Sequence, residues 1–155
     1  MGSGDMRKFY EEYAKTYTLP PYDIVDKELE LSSSDGDKFA LRTIRSKIKG
    51  KVDNHASMIE DMLNPDTSIS SLHECTYITE TRKKKMFNLY QKLMYMLRTA
   101  DLLDIEKSME QDAKYISMYF KHLHRLKKEM REIASLRMNT WKKEISPYVK
   151  EEYFG

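Results

Sequence analysis

His73-Glu74-Cys75 is the one short cluster in this chain that joins a base, a carboxylate and a thiol. A cysteine attacks as its thiolate, and a histidine within hydrogen-bond reach can take the proton. On a strand His73 and Cys75 would share a face, whereas on a helix they diverge by about 200°. No third residue stands out in the sequence to orient the histidine. An enzyme with a site near His73 and Cys75 is therefore the third alternative, and Cys75 reads better as a small buried hydrophobe. His122 and His124 lie two apart, off a common helical face, and make a poor metal pair. His55 falls on an apolar stripe, where a satisfied core histidine is the better reading. The chain has no G-x-x-x-x-G-K-S/T or G-x-G-x-x-G loop, no H-E-x-x-H, no cysteine pair and no Glu-x-x-His. No catalytic residue, cofactor or metal is expected.

Charge offers more than nucleophiles do. The net charge is only +2. Residues 1–37 carry nine acids against four bases, which leaves the remainder at +7. The largest basic excess lies in Lys121, Arg125, Lys127, Lys128, Arg131, Arg137, Lys142 and Lys143, diluted only by Glu129 and Glu132. Together with Trp141 these form the candidate binding surface, because lysines and arginines on a helix can track phosphates. A solvated face, or one covered by the acidic N-terminal arm, is the plainer reading. Trp141, with Met118, Tyr119 and Phe120, reads as packing before it reads as base stacking. A secondary basic cluster is Arg82, Lys83, Lys84 and Lys85. It opens a helix, where the dipole favours anions, so something acidic is expected beside it.

The elements that must position these residues are helices. From Asp66 to Ser146 there is neither glycine nor proline, the two strongest helix breakers. Met109, Ala113, Ile116, Phe120, Leu123, Leu126 and Met130 recur at steps of three and four, which is one face of a helix. The fold expected is all-α: an antiparallel bundle of three long helices, about 38–64, 80–103 and 105–145, running up-down-up. The coiled-coil-like third helix is the organising element, spanning roughly 60 Å at ~1.5 Å per residue. It is longer than the others can cover, so Met130, Ile133, Leu136 and Trp141 lie on an end free for a partner. The apolar stripe breaks phase after Ala100, which predicts a tight turn there, with either Asp104 or a Ser108–Gln111 capping box starting the next helix; one continuous helix of over sixty residues is the alternative. The basic start of the first helix would then meet Asp101, Asp104, Glu106, Glu110 and Asp112. Glu60 and Asp61 would face Arg82 to Lys85. Gly50, in mid-helix, marks close packing or a bend.

Three regions follow: an acidic arm over 1–37 with a short helix from Met6 to Tyr17, a helical domain over 38–146, and an aromatic tail over 147–155. Met1-Gly2-Ser3-Gly4 reads as an expression remnant, with Met6 a natural start. Leu19-Pro20-Pro21 ends the first helix, and Tyr22 to Ser34 is expected to lie extended. No apolar run approaches the ~18–20 residues of a bilayer crossing, so no membrane partner is expected. One cysteine and eleven methionines suit a reducing, intracellular, cytoplasmic setting.

For function these readings favour a non-enzymatic helical protein-interaction module, an adaptor or scaffold. It would bind a protein partner or a second copy of itself through the long third helix. A non-specific DNA- or RNA-binding protein using Lys121–Lys143, in nucleoid or nucleus, is the alternative.

Overall fold

The computed structural model describes residues 4–142. Lys143, the last turn expected of the third helix and the tail over 147–155 lie outside them. The described residues form six α-helices and one two-residue strand pair, an all-α fold. In order these are β1 (Gly4–Asp5), α1 (Met6–Ala14), α2 (Tyr22–Leu29), a 3-10 turn (Leu31–Ser33), β2 (Asp35–Gly36), α3 (Ala40–Leu63), α4 (Ile69–Cys75), α5 (Glu80–Glu106) and α6 (Met109–Asn139).

The organising element is α3 and not the longest helix. Its stripe Leu41, Ile44, Ile48, Val52, Ile59 and Met62 is at most 1% exposed. Both α5 and α6 pack on it, and they meet each other far less extensively. A helix touched on two sides needs a wide apolar face, which α3 has. The longer α6 is apolar on a narrower stripe and stays peripheral along its outer half.

Expectation and structure part company at the helix ends. The second long helix runs to Glu106 instead of 103, and the third starts at Met109 instead of 105. The turn sits at Lys107, which adopts left-handed geometry (φ 53°) while its N–H reaches the Leu103 carbonyl at 3.0 Å. Ser108 then caps α6, its hydroxyl accepting from the Gln111 N–H at 3.3 Å. At the far end α6 stops at Asn139, shortening it to 31 residues or about 46 Å. The Thr140 hydroxyl closes that end by donating to the Arg137 carbonyl at 2.8 Å.

The arm is more ordered than a reading of extended chain allows. Tyr22, Val25 and Leu29 sit three and four apart and are buried together as α2, a helical spacing that weak alternation concealed. Glu30, left-handed at φ 55°, ends that helix. Gly4, read as part of an added leader, and Asp5 pair antiparallel with Gly36 and Asp35. A Cβ at Gly36 would come within 2.5 Å of the Met6 Cα, so that position admits glycine alone. Gly50 is different. An added Cβ there meets nothing within 4 Å, which removes close packing as its reason.

Ion pairs fasten one end of the helices. Arg45, fully buried on α3, reaches Asp104 on α5 and Asp112 on α6, each at 2.7 Å. Lys49 joins Asp101 at 2.6 Å. The start of α3 thus lies beside the end of α5 and the start of α6. No ion pair joins Glu60 or Asp61 to the basic start of α5 among the described residues. Among the described residues Lys83 pairs only with Glu80 of its own helix, at 3.3 Å, and Arg82, Lys84 and Lys85 form no ion pair.

Candidate functional site

The histidine–cysteine cluster is a helix-end clasp. Its residues fall on α4, a helix, so His73 and Cys75 diverge. His73 Nε2 lies 3.1 Å from the Thr140 carbonyl, and its ring lies 4.2 Å from that of Trp141 and 5.1 Å from that of Tyr77. Between them Glu74, only 7% exposed, accepts from Arg137 Nε at 3.1 Å and from the Trp141 indole N–H at 2.8 Å. Two charge-assisted hydrogen bonds at one buried carboxylate hold α4 to the end of α6. Arg137 and Trp141, both on the candidate surface, are therefore tied to Glu74, though Trp141 remains about half exposed. The outer end of α6 is held by α4 but only partly covered: Met130 and Ile133 are buried, while Met138 and Trp141 stay about half exposed. Among the described residues no three histidine, cysteine or carboxylate side chains are grouped as metal ligands would be.

Lys127 is engaged as well. Glu28 of α2 is buried and meets Lys127 at 2.5 Å, Lys51 at 3.5 Å and the Tyr119 hydroxyl at 3.2 Å. Burial alone would raise its carboxyl. The two lysines and the tyrosine outweigh that and hold it below the usual carboxylate range. Nearby His55 is held below the usual imidazole range by burial and by Lys51, against the opposing pull of Glu28. The same burial, with Glu28 beside it, pushes the Tyr119 phenol up. The acidic arm thus lies on one flank of α6, where the Ser117 hydroxyl also donates to the Thr18 carbonyl at 2.5 Å.

On the other flank the basic residues remain outward. Lys121, Arg125 and Lys128 fall within about 60° of arc on α6 and are exposed, as are Arg131 and Lys142. Arg125 has Glu129 at 4.0 Å, the limit of an ion pair. Lys121, Lys128 and Arg131 have no such partner among the described residues. The run Lys121–Lys142 is therefore divided between two sides of the helix.

Arg125 and Lys128 border a groove between α5 and α6, which the sequence did not reveal. Three contiguous hollows of about 550, 440 and 590 Å³ share wall residues and extend from Tyr95 and Met118 to Thr79 and Asn139. The floor is Leu89, Leu93, Leu126 and Ile133, with the half-buried Met96, Met118 and Leu136 rising along the sides. The walls carry Arg82, Lys85 and Lys92 from α5 opposite Arg125 and Lys128 from α6, against two acids, Glu129 and Glu132. The Met118 end is the more apolar and the Arg82 end the more polar.

This groove exists because α5 and α6 each rest on α3 and splay above it. A sequence signal for it was present. Beyond its core stripe α5 carries Tyr95, 70% exposed and lining the hollow, and a helix apolar on more than one face ordinarily has more than one neighbour. Lys92 and Met96 were the wall residues missed. No helix of the described residues is long and apolar enough to cross a membrane.

Comparison with known proteins supplies no relative: no family model, no curated protein and no solved structure matches the chain. The fold class and the site above are what define it.

Proposed function

We infer that this chain is a non-enzymatic helical protein-interaction module, which docks a protein partner or a second copy against α5 and α6. The observation that carries this reading is the groove, an apolar floor between two long helices with methionines on its sides. Methionine is flexible and polarizable and suits adaptable binding surfaces. Helix-accepting grooves recur in protein recognition. The stretches buried by the arm and by α4 have their partners within the chain, and the groove is the long apolar feature without one among the described residues.

Crosslinking tests this. A photoreactive residue at Lys92 or Arg125 should give protein adducts in cells, while one at the exposed Asp53 of α3 should not. Adducts from both positions alike, or from neither, would refute docking at the groove.

The alternative is nucleic-acid binding, favoured by the shared face of Lys121, Arg125 and Lys128. It requires nuclease-sensitive adducts from Lys121 and affinity that falls steeply with salt. Binding that survives reversal of Arg125, Lys128 and Arg131 together would exclude it.

A further inference from the structure

Two features of the groove narrow what it takes, given that it is a docking site at all. The first is its shape. On α5 the wall positions 82, 85, 89, 92 and 96 step by three and four, as do 118, 122, 125, 129, 132 and 136 on α6. Two helices presenting such faces to one hollow offer a ridge-and-groove seat for a third rod resting on both. The stretch is roughly 20–27 Å long at ~1.5 Å per residue, the length of a helix of about 14–18 residues.

The second feature is charge. Arg82, Lys85 and Lys92 face Arg125 and Lys128 across the hollow, and only Glu129 and Glu132 answer them. Among the described residues Arg82, Lys85, Lys92 and Lys128 form no ion pair. A basic or neutral helix laid here would leave like charges crowded along both edges.

We propose that the groove receives an acidic amphipathic helix of a partner protein, lying along α5 and α6 as an added helix of the fold. Its apolar stripe covers Leu89, Leu93, Leu126 and Ile133 and meets Met96 and Met118. Its carboxylates fall beside Lys85 and Lys92 on one edge and Arg125 and Lys128 on the other. The long basic side chains lay their methylene stems along the helix and keep their charges at the rim. Apolar contact supplies affinity, and charge selects the partner.

The test uses the full chain, isotope-labelled, and three 18-residue peptides with one Leu/Ala stripe and flanking positions all Glu, all Gln or all Lys. The Glu peptide should saturate, shift amides along the facing sides of α5 and α6, and bind at least tenfold more tightly than the Lys peptide. Added salt should narrow that ratio. The exposed double variant K85E/K128E, checked for an unchanged melting temperature, should reverse the preference. Equal binding of all three peptides would overturn the acidic partner and leave groove docking intact. Binding of none, while Lys92 still crosslinks to proteins in cells, would overturn the helix and leave the docking reading. Shifts of the same amides on dilution of the chain alone would assign the groove to a second copy. An intramolecular crosslink from Lys92 into residues 143–155 would assign it to this chain's own end. Tighter binding of a 15-nucleotide single strand to the same amides would assign it to nucleic acid. Each of these last three outcomes overturns the proposal.

Discussion

Arg45 Nε donates to Asp112 Oδ1 at 2.7 Å across the interface of α3 and α6, with both side chains buried. The same guanidinium reaches Asp104 and the Ala100 carbonyl, so one side chain ties α3 to both other long helices. Its Nη2 is the one buried side-chain nitrogen or oxygen without a partner among the described residues. Removing one member of a buried pair strands the other. Arg45→Met, which strands the buried Asp112, should destabilise the fold by about 3–5 kcal/mol, and Asp112→Ala, which leaves Arg45 paired with Asp104, should cost less. The double variant should cost clearly less than the two single losses added, because no uncompensated charge remains. Urea unfolding of the three variants checks this, and additive losses would mean that the pair is not coupled.

Acid should weaken the protein in two stages. His55 is held below the ordinary imidazole range, so below about pH 6.5 the unfolded chain binds its proton first and stability declines. Glu28 is held below the ordinary carboxylate range. Its contribution is complete above the unfolded value of about 4.3 and is lost as pH falls through the folded one. Glu28→Gln should cost about 1–3 kcal/mol at neutral pH and flatten the acid limb. Unfolding midpoints at about pH 7, 5.5 and 3.5 report both stages.

Glu74 should prove structural and not catalytic. Glu74→Ala removes the acceptor of both Arg137 and Trp141 and should cost about 1–3 kcal/mol. Trp141 is the single tryptophan, so its fluorescence follows the loosening of α4 from α6 directly. A variant as stable as the parent, with unchanged emission, would show that the clasp contributes nothing.

Backbone substitutions give a prediction of opposite sign. Gly50→Ala adds a methyl where nothing lies within 4 Å and should raise stability by about 0.4–1 kcal/mol. Lys107→Gly relieves a left-handed residue at φ 53° and should stabilise the α5–α6 turn by up to about 1 kcal/mol. Thermal melts of each variant decide the matter. A lower melting temperature for G50A would point to a bend that needs glycine.

The features legible along the chain are local in origin. Helix content, the stop at Asn64-Pro65, the start at Thr79 and the cap at Ser108 follow from side chains acting on the backbone a few residues away. The phase break after Ala100 located the α5–α6 turn for the same reason, since periodicity is a property of neighbours along one helix. Even the meeting of the basic start of α3 with Asp101, Asp104 and Asp112 was legible, because short connections dictate which helix ends meet.

The remainder depends on which faces of separate helices meet. No spacing rule says that Glu28 reaches Lys127 from α2, or that Glu74 binds Arg137 and Trp141. These contacts join residues far apart in the chain and divide the basic run between two flanks. Nor could periodicity show that α3 would carry both other helices, leaving α5 and α6 splayed. The groove is the space between two helices that a third holds apart, so it appears only once all three are in place.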